Sequence, residues 1–289
     1  MMISDKLISY PQYILPKKGL TLLAGMLANN RSPSIKNKLI KRFIKTYQVN
    51  MSEALEENPE NYASFNDFFT RKLKPEARVI SDADVVSPVD GIISEIGTIK
   101  KGQIIQAKNR SYSVKQLLQT SAEECEPYES GQFATLYLSP KDYHRVHMPI
   151  DATLKSMTYV PGKLFSVQPA TARTIPHLFA RNERLVVSFE TAVGPMMMVL
   201  VGATIVGGIH TTWHGDIQRS KKSIQFVYPE NAYDSSHYQK GEEMGYFMLG
   251  STVVLLFGRA CDVNFKKECQ SGSSIQFGQA FGQISKKSE

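Results

Sequence analysis

Apolar and polar positions change rhythm near residue 85. Before it, spacing is helical. Between 33 and 47, Ile35, Leu39, Ile40, Phe43, Ile44 and Tyr47 recur at three and four residues, while Lys36, Lys38, Lys41, Arg42 and Lys45 fall largely on the other side. Ser32 stands where a cap is expected and Pro33 in the first turn, so the spacing predicts an amphipathic basic helix. A shorter apolar stretch, 20–28, precedes it. A further helix is predicted from Ser64, where Asp67 completes a capping pattern before Phe68, Phe69 and Leu73, with Pro75 as its stop. From Val85 onward, short runs rich in Val, Ile, Thr and Tyr (85–86, 91–96, 133–138, 185–189, 196–209, 223–228 and 251–257) alternate with Gly, Pro and Asp. The pattern predicts an α+β fold: an antiparallel β-rich body, 49–289, behind a helical N-terminal region, 1–48. No apolar run reaches the roughly 18 residues of a spanning helix.

Charge sharpens the division. The 289 residues carry a formal net charge of +7, but residues 1–48 hold nine basic side chains against the single acid Asp5, which leaves the body near neutrality. Basic residues interleaved with apolar ones that need burial fit an anionic membrane surface and not a nucleic-acid groove. The alternative is a helix packed on its own domain with a solvated basic face. Cys125, Cys261 and Cys269 form no CxxC pair and no secretory leader pattern precedes the head, which suggests a reducing, cytoplasmic-side protein.

Three segments carry candidate chemistry. Gly250-Ser251 lies between a Gly/Glu-rich loop and an apolar strand. Glycine leaves the serine unobstructed and tolerates strained backbone, so Ser251 Oγ can attack the Gly250 carbonyl in an N-to-O acyl shift; elimination and loss of ammonia then leave a pyruvoyl group. As a bare dipeptide the pair is equally an ordinary turn. The run from Ser139 to Pro149 reads as a capped helical turn, with Ser139 and Asp142 as cap and Pro140 in the first position, and such a turn would place His144 and His147 on one face. A zinc site would require a third ligand, and none follows at a familiar spacing. Ser87-Pro88-Val89-Asp90-Gly91 reads as a hairpin. Asp90, a histidine and Ser251 together supply the parts of a charge relay, in which an acid orients an imidazole that deprotonates a hydroxyl.

These segments resemble those of phosphatidylserine decarboxylases of the bacterial and mitochondrial type. The matching stretches are FNDFFTR (65–71), SPVDG (87–91), YHRVHMP (143–149), GKLFS (162–166), LFARNER (178–184), VGATIVG (201–207) and KGEEMGYFMLGST (240–252). The resemblance implies a proenzyme that cleaves itself into chains 1–250 and 251–289, which stay associated and can pair into a homodimer. It assigns Asp90, His147 and Ser251 to the self-cleavage relay with His147 as base, and His144 to decarboxylation as proton donor. The implied cofactor is the pyruvoyl made from Ser251, which forms a Schiff base with the serine amine of phosphatidylserine, releases carbon dioxide and yields phosphatidylethanolamine. A lipid substrate implies peripheral attachment to the cytoplasmic side of the cell membrane. The loops 162–166, with Ser166, and 181–184 are assigned to the head-group site. The competing readings are a pyruvoyl decarboxylase of a soluble amino acid, which the basic head disfavours, and a non-enzymatic carrier, which would need no cleavage and lacks a lysine attachment motif.

Overall fold

The computed structural model describes residues 3–107, 110–204, 208–228, 236–248 and 250–285. Helix makes up 27% of it and strand 34%, the α+β composition that the sequence rhythm predicts. The N-terminal region holds α1 (Ile3–Ser9), α2 (Lys17–Ala28) and α3 (Pro33–Tyr47), followed by the short α4 (Phe65–Phe69). Four further short helices, α5 (Val114–Leu118), α6 (Ala122–Cys125), α7 (Pro169–Thr174) and α8 (Leu178–Arg181), lie among the strands. The strands are β1 (Val85–Val86), β2 (Gly91–Thr98), β3 (Gln103–Ala107), β4 (Arg110–Ser113), β5 (Gln132–Leu138), β6 (Arg145–His147), β7 (Ala152–Val160), β8 (Arg184–Thr191) and β9 (Gly194–Val201). They continue as β10 (Ile209–Thr211), β11 (Gly215–Asp216), β12 (Ile224–Val227), β13 (His237–Tyr238), β14 (Glu243–Phe247), β15 (Ser251–Phe257), β16 (Val263–Phe265), β17 (Ser274–Ile275) and β18 (Ala280–Ile284).

Among the described residues the main sheet has nine strands, in the order β12-β7-β8-β9-β15-β5-β2-β17 with β13 added beside β7. Its central strand β15, STVVLLF, is buried at every position, as a strand covered on both faces must be. A four-stranded sheet, β11-β10-β14-β6, and a three-stranded sheet, β1-β18-β16, stand against one side of it. Residues of all three meet in one core, including Val146, Met244, Phe247, Leu255 and Phe281. The opposite face of the main sheet is covered by α5 and by the segment of α7 and α8, through Leu117, Ile175 and Phe179.

The N-terminal helices divide their duties differently from the sequence expectation. Helix α3 has the predicted bounds, and part of its apolar stripe is covered by its own protein: Ile40 is fully buried, and the Phe43 ring packs edge-on against Phe65, Phe68 and Phe69 at 5.1, 5.9 and 6.0 Å, while Ile35 and Tyr47 stay exposed. Its cations largely face solvent, as both the membrane and the packed-helix alternatives expect. More exposed apolar surface lies on the 10–15 turn and α2, where Tyr13, Ile14, Leu22, Leu23 and Met26 are all solvent-facing. Helix α1 clasps the turn to the body, with Asp5 bound by Arg173 through two 2.9 Å bonds and Thr174 Oγ1 donating to Ser9 Oγ at 2.6 Å. Among the described residues no helix is long and apolar enough to cross a membrane.

Candidate active site

The histidine run is a turn leading into a strand, not a helical turn. Asp142 does engage Ser139, accepting its backbone N–H at 2.7 Å and its hydroxyl at 2.8 Å. The chain then extends, because Arg145 and Val146 pair with Tyr246 and Gly245 of β14. Strand period replaces helical period, so His144 and His147 face apart instead of sharing a face. His144 lies against Phe69, with ring centroids 4.1 Å apart, and His147 stacks on Phe277 at 3.6 Å.

Their hydrogen bonds fix both tautomers. A carbonyl only accepts, so His147 Nδ1, 2.9 Å from the Gly241 oxygen, carries the proton, and Nε2 accepts from the Tyr143 hydroxyl at 3.0 Å. By the same reasoning His144 donates from Nδ1 to the Asp142 carbonyl at 2.8 Å. Its Nε2 is buried with no hydrogen-bond partner, leaving a free lone pair. Burial, aided by the Arg71 guanidinium, holds the His144 imidazole down at about 3; burial and the Arg145 charge hold His147 at about 4. Both are neutral bases in a dry setting.

Asp90 is placed by a corner rather than a hairpin. Strand β1 pairs with β18 and β2 with β5 and β17, so SPVDG carries the chain from one sheet to another. Gly91 is required by close approach: a Cβ there would sit 2.4 Å from the Tyr137 carbonyl oxygen. The Asp90 carboxylate takes two bonds from Arg78, Nε at 3.0 Å and Nη2 at 2.5 Å, and a third from the Phe277 backbone N–H at 2.8 Å. Arg78 also pairs with Glu53 at 2.9 Å. Asp90 and His147 therefore lie on Phe277's backbone and ring respectively, with no direct bond between them. The hydrogen-bonded relay from Asp90 through His147 to Ser251 is absent from this conformation, because a bidentate guanidinium outcompetes a neutral imidazole for the carboxylate and Gly241 satisfies Nδ1.

Ser251 opens β15 opposite Leu138 and is fully buried, yet its Oγ has no hydrogen-bond partner. Gly250 before it has φ +31°, a value that side chains disfavour, although a Cβ there would meet nothing within 4 Å. Glycine is needed here for conformation, not for room. The corner is tight: β14 belongs to the four-stranded sheet and β15 to the nine-stranded one. Three residues link them, of which Leu249 lies outside the described residues.

Two cavities share a wall at this corner. An apolar one of about 300 Å³ is lined by Gly250, Thr204, Pro140, Phe69, Phe43 and Leu27. A polar one of about 280 Å³ is lined by Asp90, Arg78, Arg71, Lys141, Asp142 and Tyr143. Phe69 and Pro140 face the first while Arg71, Ser139 and Lys141 face the second, so the wall is the end of α4 laid on the 139–145 segment. Arg71 donates to the Lys141 carbonyl at 3.1 Å, and Arg145 Nε to the Thr70 carbonyl at 2.9 Å. Arg71 is only 5% exposed, and its Nε and Nη1 have no hydrogen-bond partner. The sequence did not single out Arg78, Tyr143, Phe277 or Arg71 as site residues, although Arg71 lies in FNDFFTR and Tyr143 in YHRVHMP.

The loops 162–166 and 181–184 do lie together: Lys163 N–H donates to the Arg181 carbonyl and Glu183 N–H to the Lys163 carbonyl, both at 2.8 Å. Ser166 donates its backbone N–H to Gln12 Oε1 at 2.8 Å, which ties down the N-terminal turn. It is not among the described residues lining either cavity at Gly250 or Asp90.

A sequence model of the family Phosphatidylserine decarboxylase matches residues 65–283, and a second, described as PSD, matches residues 7–48. A phosphatidylserine decarboxylase proenzyme of Legionella pneumophila (strain Lens) is 59% identical over 277 residues, spanning 96% of this chain and 98% of that protein. Proenzymes of the same name from Shewanella loihica, 51% identical over 97% of this chain and 99% of theirs, and Polaromonas naphthalenivorans, 48% identical over 99% of this chain and 100% of theirs, match as completely. With a buried, unpartnered serine behind a glycine at positive φ and these relatives along its whole length, the chain belongs to the phosphatidylserine decarboxylase family of carboxy-lyases.

Proposed function

We propose that the chain cleaves itself between Gly250 and Ser251 and then decarboxylates phosphatidylserine to phosphatidylethanolamine at the new chain end. The observation that carries this reading is the Ser251 hydroxyl: fully buried, without a hydrogen-bond partner, and attached to a glycine at φ +31°. A buried hydroxyl left unsatisfied costs about 1–3 kcal/mol, and with no partner to displace, Ser251 Oγ is available for attack.

Ser251 Oγ bonds to the Gly250 carbonyl carbon as the peptide C–N bond breaks, giving an ester and a free amine on residue 251. Removal of the Ser251 α-proton expels the Gly250 carboxylate and leaves an enamine, which tautomerises to an imine. Water adds and ammonia departs, producing a pyruvoyl group at the head of chain 251–289. The family resemblance supports Asp90, His147 and Ser251 as the relay for this step. In that assignment His147 Nε2 exchanges its bond to Tyr143 for one to Ser251 Oγ, and Asp90 acts through Phe277, whose N–H it holds and whose ring supports the imidazole. A second reading has its own observation: the lone pair that stands free is on His144 Nε2.

The buried residues around Ser251 fit a pyruvoyl, since the position is dry and lacks a competing hydrogen bond. When formed, that group supplies an electron sink for loss of carbon dioxide from an amine-linked substrate. The resemblance supports His144 as donor of the α-carbon proton, and its Nε2, buried without a hydrogen-bond partner, is the atom free to carry that proton. The apolar cavity at Gly250, open toward α2 and α3, suits the glycerol and acyl portion of a lipid. The exposed apolar surface of the 10–15 turn and α2 supports peripheral attachment to the cytoplasmic face of the membrane.

Wild-type protein is expected to run as two chains on a denaturing gel, the smaller with the mass of a pyruvoyl-headed 251–289 fragment, while Ser251→Ala stays whole. His147→Ala is expected to stay whole as well. His144→Ala is expected to split and lose decarboxylation by at least 100-fold, measured as phosphatidylethanolamine formed. The opposite pattern, His144→Ala intact and His147→Ala split, would transfer the cleavage base to His144. A single uncut chain of full activity would refute the whole reading.

A further inference from the structure

A cluster of cations beside the exposed apolar surface is not used by the chemistry above. Lys17 Nζ lies 4.4 Å from the centroid of Phe165, over its ring, and the Arg181 guanidinium lies 5.0 Å from the same ring and 5.9 Å from Tyr13. The two rings are themselves in contact, with centroids 5.3 Å apart. Lys163 is two residues before Phe165 on the loop whose backbone is bonded to Arg181. Lys163 and Arg181 both hold the Lys17 ammonium below its ordinary range, after desolvation as the largest cause, so the three charges converge. Among the described residues none of the three is in an ion pair; Lys17 Nζ donates only to the neutral Gln12 carbonyl. The nearby carboxylates are committed elsewhere, Asp5 to Arg173 and Glu183 to Arg219. Two cations held on an aromatic platform with a third on the adjoining loop, and no carboxylate partner among the described residues, form an anion site.

Its surroundings say what brings the anion. Tyr13 is 49% exposed, Ile14 90%, Leu22 67% and Leu23 53%, and all lie on the turn and helix that carry Lys17. Apolar side chains with cations at their edge match the acyl and phosphate levels of a bilayer. Lys17 lies seven residues along α2 from Ala24, where the helix begins to line the cavity at Gly250, a rise of about 10 Å. In a phosphoserine head group only one oxygen and two carbons separate phosphorus from the amine. A substrate reacting at residue 251 would not also place its phosphate on Lys17.

We propose that Lys17, Lys163 and Arg181 bind the phosphate of an anionic bilayer phospholipid other than the reacting one, seated on Phe165 and Tyr13 while Ile14, Leu22 and Leu23 enter the acyl layer. The inference rests on the membrane reading above and adds the residues and lipid chemistry that fix the docking pose. Bound in this way, α2 lies at the interface with the apolar cavity at its C-terminal end.

The test is sedimentation of the full chain with vesicles of phosphatidylcholine alone, or with a minor fraction of phosphatidylglycerol or phosphatidylserine. Wild type is expected to bind both anionic mixtures more strongly than phosphatidylcholine. Lys17→Gln/Lys163→Gln/Arg181→Gln is expected to lose on the order of 100-fold in partition to both. Lys38→Gln/Arg42→Gln/Lys45→Gln removes the same charge from the exposed face of α3 and is expected to lose only severalfold. Self-cleavage into two chains reports that each variant folds. Equal losses in the two triple variants would reduce the effect to net charge and overturn the site. So would dependence on phosphatidylserine alone, which would make it a substrate subsite. Wild type that binds no vesicle would remove the membrane reading itself.

Discussion

Two buried histidines kept neutral make the site sensitive to acid before any chemistry occurs. An unfolded histidine takes up its proton near pH 6.5, whereas His144 and His147 in the fold hold out to about 3 and about 4. His144 faces Arg71 and the Asp142 carbonyl; His147 faces Arg145, the Tyr143 hydroxyl and the Gly241 carbonyl. Between those values the unfolded chain binds more protons than the folded one. The contribution is therefore fully present above about pH 6.5 and lost as pH falls toward 4. In the uncleavable Ser251→Ala protein, the melting temperature is expected to drop as pH is lowered from about 7.5 to about 5. Adding His144→Gln should make that drop smaller, because one of the resisting imidazoles is gone. Calorimetry at the two pH values measures the difference, and an unchanged drop would mean that His144 does not resist protonation.

At the scale of elements, α4 is what joins the helical region to the chemistry. One face of this five-residue helix meets Phe43 of α3, and its C-terminal end lies on His144 and the 139–145 segment. Phe68, fully buried, touches Tyr62, Phe43 and Phe65 and lies beneath the Arg71 guanidinium. Phe68→Ala is expected to destabilise the Ser251→Ala protein by about 3–4 kcal/mol in chemical denaturation. Because the wall between the cavities would loosen, the same change in the cleavable chain should slow decarboxylation more than a distant core truncation of equal cost. Helix starts were legible because their signals are local: α3 has the bounds that its periodicity and Pro33 dictate, and Ser64 Oγ caps α4 by accepting the Asp67 N–H at 3.2 Å, although α4 ends at Phe69 and not at Pro75, because Leu73 bridges to Ala54. The strand runs were legible for the same reason. The hairpin expected at Asp90 and the helical turn expected at His144 failed because β18 and β14, far along the chain, supply the pairing at those positions. Arg78, Tyr143 and Phe277 were illegible as a group, since Phe277 meets Asp90 across 187 residues and no spacing rule reaches that far.

For the whole molecule, the decisive feature is that the proposed cut falls between sheets and not within one. β14 remains paired to β10 and β6 in the four-stranded sheet, and β15 remains between β9 and β5 at the centre of the nine-stranded one. Residues beyond it are shared out just as widely: β17 pairs with β2, and β16 reaches β1 through β18. Chain 251–289 thus contributes strands to two sheets that chain 1–250 completes, and the cut falls at the first position of β15, so the pairing from Thr252 to Phe257 is left in place. The cleaved protein is expected to elute as a single species of unchanged size in native size-exclusion chromatography. Its two chains should part only when the fold is denatured, and should not reassemble readily on dilution from denaturant, because β15 would have to re-enter a closed position between two neighbours instead of adding to an edge. Val254, fully buried at the middle of β15 opposite both Thr135 and Val199, offers the control. Val254→Asp should release the small chain, or prevent folding before cleavage, while the charge change Lys266→Glu on the short strand connection that follows should leave the complex intact. Dissociation of the wild-type chains on simple dilution would show that the continuous backbone, and not the interleaved sheets, holds β15 in place.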